Sequence, residues 1–322
     1  MQMRPQNSRL PNAMEDHPYL LESRSSMMRT LLEAARRAAG SDATILLTGE
    51  SGTGKDVLAR QIHEWSPRHD GPFVVIDCTT LAEQLLQDEL FGHLRGGFTG
   101  AVTDKPGRLE LSEGGTIYFS QIADLPPSFQ AKLLRFADEQ SFERIGDNRT
   151  ISVNARIIAA LNDDIEAQLA TGRVRADLYH RLSVITFRLP PLRERMQDIL
   201  LLAESILRQL TPKTAHGGLT LSPEAAELLS AYRWPGNIRE LHNALSRAAV
   251  LARTDTITID DLPESIIYGP RVSRFHADGL EAMEREHISR VLAESPTFEQ
   301  AAAKLGVNVT TLWRKRKRYG IG

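Results

Sequence analysis

Residues 27–39 carry apolar side chains every three to four positions with polar ones between, the period of an amphipathic helix. Beyond that helix the pattern changes. Short β-branched or aromatic runs at 44–48, 73–76, 116–119, 155–160 and 184–189 alternate with stretches of helical period. Continuous apolar runs of this length suit strands covered on both faces, and their alternation with helices predicts an α/β fold with a parallel sheet flanked by helices. After Pro190-Pro191 the period is helical throughout, over 198–209, 222–231 and 237–253. Ser222 before Pro223-Glu224, and the turn Trp234-Pro235-Gly236-Asn237, are the helix starts. Three short helical patterns close the chain at 280–294, 298–304 and 309–319.

These patterns divide the chain into a polar leader over 1–16, expected to be disordered, an α/β core over 17–190, a helical lid over 191–262, a linker over 263–278 and a small all-α unit over 279–322. At 322 residues and 41% hydrophobic content the chain can bury a substantial core. The net charge of −2 points to no polyanionic partner for the molecule as a whole, yet residues 301–322 hold six Lys or Arg and no acid. Cys78 is the only cysteine, which excludes an internal disulfide and suits a reducing compartment. No apolar stretch approaches about 18 residues and no secretory leader is visible, so a cytoplasmic protein without a membrane span is expected.

The run 44–48 leads into Gly49-Glu50-Ser51-Gly52-Thr53-Gly54-Lys55, and residues 56–62 follow with helical period. Strand, glycine loop and helix form the context that gives a GxxxxGK match its meaning. Backbone N–H groups in such a loop converge on one anion, the helix N-terminus adds its positive end, and Lys55 reaches the outer phosphates. ATP or ADP is therefore the expected ligand. Asp56 follows Lys55 where the general pattern has Ser or Thr. The plain alternative, a glycine-rich turn with no ligand, is weighed down by the matching flanks.

Three further signatures follow in order: Gly96-Gly97-Phe98-Thr99-Gly100-Ala101, Leu189-Pro190-Pro191-Leu192-Arg193-Glu194-Arg195 and Trp234-Pro235-Gly236-Asn237-Ile238-Arg239-Glu240-Leu241. With the glycine loop, they resemble the AAA+ domain of the sigma-54-dependent activators, the bacterial enhancer-binding proteins, over about residues 19–262. The resemblance continues into a Fis-type DNA-binding end. There Thr311-Leu312-Trp313-Arg314-Lys315-Arg316-Lys317 is similar to the alginate-type response regulators.

The resemblance implies an AAA+ ring, either homo- or hetero-oligomeric, that acts on sigma-54 RNA polymerase from upstream, enhancer-like DNA. It implies that the hexapeptide tips a loop reaching for sigma-54, with Phe98 as an apolar contact and Thr99 as a hydroxyl. Gly97 replaces the family's alanine and is expected to cost about 0.5–1 kcal/mol of ordering entropy if it lies in a regular segment. Arg175 and Arg181 match arginine fingers that stabilise charge on a neighbour's γ-phosphate. Arg239 matches a lid arginine sensing the phosphate of its own subunit, and Asn162 the sensing asparagine. For each arginine the plain alternative is a surface ion pair of little worth.

The family carries Asp-Glu at the end of its second motif strand, and this chain has Ser120-Gln121 there. A hydroxyl does not replace a full negative charge near a cation, and an amide cannot act as a base toward water. Mg2+ is accordingly expected to be held weakly. Asp77 stands where the family has an Asn that restrains the catalytic Glu, and Leu161 where a Thr precedes Asn162. Parts acting on the subunit's own ATP are altered, whereas parts offered to neighbours remain. The resulting expectation is a regulator that binds ATP without hydrolysing it and works in a mixed ring with a complete relative. An active ATPase using a different water, or a DNA-bound anti-activator using ATP only for assembly, stays open. A sixteen-residue leader is too short to fold, so no receiver domain is expected.

At the basic end, 298–304, Gly306 and 309–319 predict helix, tight turn, helix, with Asn308 as N-cap. Ala302, Leu305 and Leu312 are spaced to pack the two helices together. Val309, Thr310 and Arg314 are expected to meet base edges, Lys304, Lys315, Lys317 and Arg318 to meet phosphates, and Asn308 and Thr311 to flank them. Trp313 is expected to pack inside.

Overall fold

The structure, a computed structural model, describes residues 22–78, 83–98, 100–211, 218–267, 280–295 and 297–319. The expected leader and the linker beyond residue 267 lie outside the described residues. Chain contacts divide it into two compact units, Met1–Leu221 with Arg233–Ile257, and Ser222–Tyr232 with Thr258–Gly322.

The first unit is built on helix α1 (Ser26–Ala39), strand β1 (Ile45–Thr48), α2 (Lys55–Glu64), β2 (Phe73–Asp77), α3 (Glu83–Phe91), β3 (Thr116–Ser120), α4 (Pro127–Glu139), β4 (Arg156–Leu161), α5 (Ala176–Leu182), β5 (Ile185–Arg188) and α6 (Ile199–Leu210). The five strands form one sheet in the order β2-β3-β4-β1-β5, and every pairing is parallel. Successive side chains of a strand leave on opposite faces, so β3 sends Ile117 and Phe119 into one core and Tyr118 into the other. The first core gathers Leu90, Phe129, Leu133 and Leu178 from α3, α4 and α5, and the second gathers Ala35, Leu58 and Ile62 from α1 and α2. This double coverage explains why the strands read as unbroken apolar runs.

Ser25 starts α1 by accepting from the Met28 N–H through its hydroxyl. The segment before it is anchored by Asp198, which is fully buried and accepts from Ser23 Oγ at 2.5 Å, Arg24 N at 2.6 Å and Ser25 N at 3.1 Å.

The second unit begins with α7 (Pro223–Ala231), whose N-cap is Ser222, as the sequence predicts. Helix α8 (Asn237–Leu251) returns to the first unit. The second unit then adds a short turn at Glu264–Ile267, inside the expected linker, and three helices, α9 (Leu280–Ala293), α10 (Phe298–Lys304) and α11 (Val309–Tyr319). Ile288, Val291, Ala301, Ala302 and Leu312 form the shared core of these three. Among the described residues no helix is long and apolar enough to cross a membrane.

Candidate nucleotide site and nucleic-acid interface

Parallel register aligns the C-terminal ends of the strands, where open α/β sheets bind their ligands. Thr48 lies beside Leu161 and Arg188, and Asp77 beside Ser120. The loop after β1, Gln121 after β3 and Asn162 after β4 therefore share one edge of the sheet.

Gly49, Gly52 and Gly54 all take positive φ. At Gly52 a Cβ would stand 2.4 Å from the Gly236 carbonyl oxygen, so a side chain there would push the loop off the start of α8. Lys55 opens α2 and is buried; its ammonium donates to the Gly49 carbonyl at 2.6 Å, the Glu50 carbonyl at 3.0 Å and Asn162 Oδ1 at 3.5 Å. Burial lowers the pKa of this ammonium from its ordinary value.

At the end of β3, the Ser120 hydroxyl donates to the Ile76 carbonyl at 3.3 Å. Gln121 adopts φ 51°, ψ 61°, a left-handed conformation rare for a residue with a side chain, and its Oε1 accepts from Asn162 Nδ2 at 3.5 Å. The tight turn holds a neutral amide where it faces Asn162, which in turn faces Lys55. Asp56 is engaged elsewhere: its Oδ1 accepts from the hydroxyl of Tyr118 at 2.6 Å, and that ring is fully buried in β3.

Residues of the two later signatures brace the loop, and of these the sequence assigns a role only to Arg239. Asn237, fully buried with φ 54°, donates to Glu50 Oε2 and to the Ser51 carbonyl, and accepts from the Leu192 N–H at 2.8 Å. Arg193 forks onto both oxygens of Glu50 at 2.8 and 2.6 Å, and this pairing holds the Glu50 carboxyl down at about 2 from an ordinary 4.5. A depressed carboxylate pKa contributes its full stability above the ordinary value and loses it as pH falls through the lowered one, so the contribution is complete above pH 4.5 and the brace opens only near pH 2. Arg195, almost fully buried, donates to the Thr53 carbonyl at 2.8 Å. Arg239 lies on the first turn of α8, where its guanidinium donates to Ser51 Oγ at 2.8 Å.

Arg175 and Arg181 sit beside and within α5 and are half-exposed. Arg175 pairs with Asp177 at 2.7 Å, while Arg181 pairs with Asp138 at 2.7 Å and donates to the Ala137 carbonyl. Within the hexapeptide, Gly96 N–H donates to the Ala101 carbonyl at 2.9 Å, which closes a narrow loop, and Phe98 is 44% exposed with its ring edge on His93. Thr99 lies outside the described residues; Gly100 turns at positive φ.

In the helical unit, Gly306 turns at φ 65° between α10 and α11, and Asn308 caps α11 by accepting from the Thr311 N–H at 2.7 Å. Val309, Arg314 and Lys317 are exposed along one helix that carries no acid. Lys315 forms an ion pair with Glu284 of α9 at 2.5 Å, and the same carboxylate accepts from Tyr319 at 2.7 Å. The side chains of Thr310 and Arg318 lie outside the described residues.

Residues 21–188 match the sigma-54 interaction domain, 193–277 an AAA+ ATPase lid domain, and 279–319 the bacterial regulatory protein, Fis family, model. The chain belongs to the sigma-54 activator family. It is 44% identical over 305 residues to the alginate biosynthesis transcriptional regulatory protein AlgB of Pseudomonas aeruginosa, covering 94% of this chain and 68% of that protein. It is 48% identical over 253 residues to the response regulator protein FleR of the same organism, covering 79% of this chain and 53% of that one. The crystal structure of NtrX from Brucella abortus in complex with ATP superposes with a TM-score of 0.70 at 32% identity, covering 93% of this chain and 69% of that one.

Two expectations about this family member need correction. Trp313 does not pack inside: it is 55% exposed with the Lys317 ammonium 5.3 Å from its ring, because Leu312, one position earlier, takes the core-facing place on α11. Gly97 does not lie in a regular segment where alanine would be free. A Cβ there would stand 2.7 Å from the Ile145 carbonyl oxygen, and Gly146 packs against the Gly97 Cα. Gly97→Ala, which restores the family hexapeptide, is therefore expected to destabilise this chain by about 1–3 kcal/mol, the scale of overpacking, and to raise hydrogen exchange over 141–152. A melting temperature and exchange pattern equal to the parent's would contradict it.

Lys315 is paired with Glu284, so its part in phosphate contact is expected to be smaller than that of Lys317. Lys317→Ala is expected to weaken DNA binding alike across sequences and to flatten the salt dependence by about one counterion. Lys315→Ala should change the salt slope less and lower the melting temperature of the helix-turn-helix more. Binding titrations over a salt series check both.

Proposed function

We propose that this sigma-54-type regulator binds ATP or ADP on loop 49–55, does not hydrolyse it, and acts on upstream DNA inside a mixed ring with a catalytically complete relative. One observation carries the reading. Strand β3 ends in a hydroxyl, Ser120, and is followed by an amide, Gln121, beside a loop lysine, Lys55, with Asn162 after β4 and Arg239 on α8 in place around it. An amide holds a water but offers no base for its proton, and a hydroxyl brings no full charge to a cation. Nucleotide binding is supported by the positive-φ glycines, by Lys55 at the helix start, and by the ADP and ATP complexes of NtrX.

The mixed ring is supported by what the chain retains toward neighbours. Arg175 and Arg181 stand half-exposed in ion pairs that cost little to open, and Phe98 stands exposed on its loop. The test uses a complete relative whose own arginine fingers have been replaced. Adding this chain should raise phosphate release by about a thousandfold, the scale of an arginine supplied in trans, and Arg181→Ala in this chain should remove the gain. Failure of the two chains to co-purify, with no gain in phosphate release, would overturn the ring and favour a DNA-bound anti-activator.

A further inference from the structure

P-loop nucleotidases hold Mg2+ through the hydroxyl after the loop lysine and an acid at the end of the second motif strand. In this chain both positions are altered, and both are already bound to protein. Asp56 replaces the hydroxyl, and its Oδ1 accepts from Tyr118. Tyr118 points from β3 into the packed layer between the sheet and α2, so it draws the Asp56 carboxylate toward that layer. Burial and the neighbouring Asp56 charge push the tyrosine pKa well up, so the hydroxyl keeps its proton and remains a donor. Ser120 replaces the acid, and its hydroxyl is turned back onto the Ile76 carbonyl. The residues at the two cation-holding positions therefore do not fit Mg2+.

Two other carboxylates share this edge of the sheet. Asp77 lies beside Ser120 in register, and Asp163 pairs with Arg188 at 3.4 Å while keeping a buried Oδ1 that has no hydrogen-bond partner. Positive charge for a polyphosphate is plentiful without a metal, in the Lys55 ammonium, the start of α2 and Arg239 on the first turn of α8.

We infer that this chain takes its nucleotide as the metal-free polyphosphate anion, with Tyr118 latching Asp56 away from the phosphates so that Mg2+ gains no protein ligand. The inference rests on the nucleotide-binding reading above and adds the form of the ligand. It also separates two properties that are joined in a hydrolytic site, retention of nucleotide and retention of metal.

The test is ADP titration by calorimetry on the full chain, in Mg2+ and in EDTA, because ADP binds Mg2+ more weakly than ATP and hides less of the effect. The dissociation constant in Mg2+ should equal that in EDTA or be weaker, because Mg2+ taken up by free ADP competes with the site and gains no ligand from the protein. Tyr118→Phe, which frees Asp56 with little change of volume, should introduce a Mg2+ dependence of about fivefold or more, once a melting curve shows that the variant is folded. A tightening by Mg2+ of about tenfold in the native chain would overturn the inference. If Asp77→Asn or Asp163→Asn abolished that tightening, the cation would be held from β2 or β4. A Tyr118→Phe variant that stayed indifferent to Mg2+ would overturn the latch. Absence of ADP binding in either buffer would remove the nucleotide reading itself, an outcome distinct from binding that requires metal.

Discussion

Lys55→Ala is expected to lower ADP and ATP affinity by about a hundredfold or more, since a charge-assisted contact to a phosphate in a partly dry site is worth about 3 kcal/mol. The variant should nonetheless fold. Lys55 is buried, and desolvation of its ammonium is the largest influence on it, so the side chain burdens the fold more than it supports it. Its hydrogen bonds to the Gly49 and Glu50 carbonyls offset part of that cost. A melting temperature equal to or above the parent's, together with lost calorimetric binding, would locate the effect in the site. Retained affinity would mean that the loop amides and Arg239 hold the phosphates alone.

Asp198→Ala is expected to produce the largest loss of stability. Its carboxylate accepts from one hydroxyl and two backbone N–H groups of the segment before α1, and all three would be orphaned. It also provides favourable charge to Arg195, whose guanidinium is so buried that its pKa falls to about 10. Leaving up to three donors unsatisfied, at about 1–3 kcal/mol each, costs about 3–5 kcal/mol in all, which for a unit of this size lowers the melting temperature by roughly 10 °C. Because Arg195 donates to the Thr53 carbonyl in the loop, nucleotide affinity should fall as well. Asp198→Asn keeps the shape and one acceptor oxygen and should lie between the two. A shift of only about 2 °C for the alanine variant would show that the anchor is replaceable.

The parts of this molecule legible in the sequence are those governed by near neighbours. Strands buried on both faces declare themselves as apolar runs, the glycine loop by spacing, and Ser222 and Asn308 by cap chemistry, and each element lies within a few residues of its predicted place. What the sequence conceals depends on register between distant segments. The Tyr118 to Asp56 bond needs the face alternation of β3 and the first turn of α2 together. Asn237 and Arg195 stand in the signature stretches and Asp198 in none, yet their bracing roles show only when the chain brings partners more than a hundred positions away against them. Trp313 misleads for a smaller reason: on a helix one step of sequence is about 100° of rotation, enough to exchange the core for the surface. Gly97 is misread because its neighbour, Ile145, belongs to another loop.

The missing pair of acidic groups after β3 is the centre of the account, and steady-state phosphate release tests it most directly. The homogeneous native chain is to be measured beside a version carrying Ser120→Asp, Gln121→Glu and Asp77→Asn. The native chain should show no release above background, and the restored chain should exceed it by about a hundredfold or more, the scale of a recovered general base. Turnover by the native chain at the restored rate, abolished by Lys55→Ala, would contradict the account.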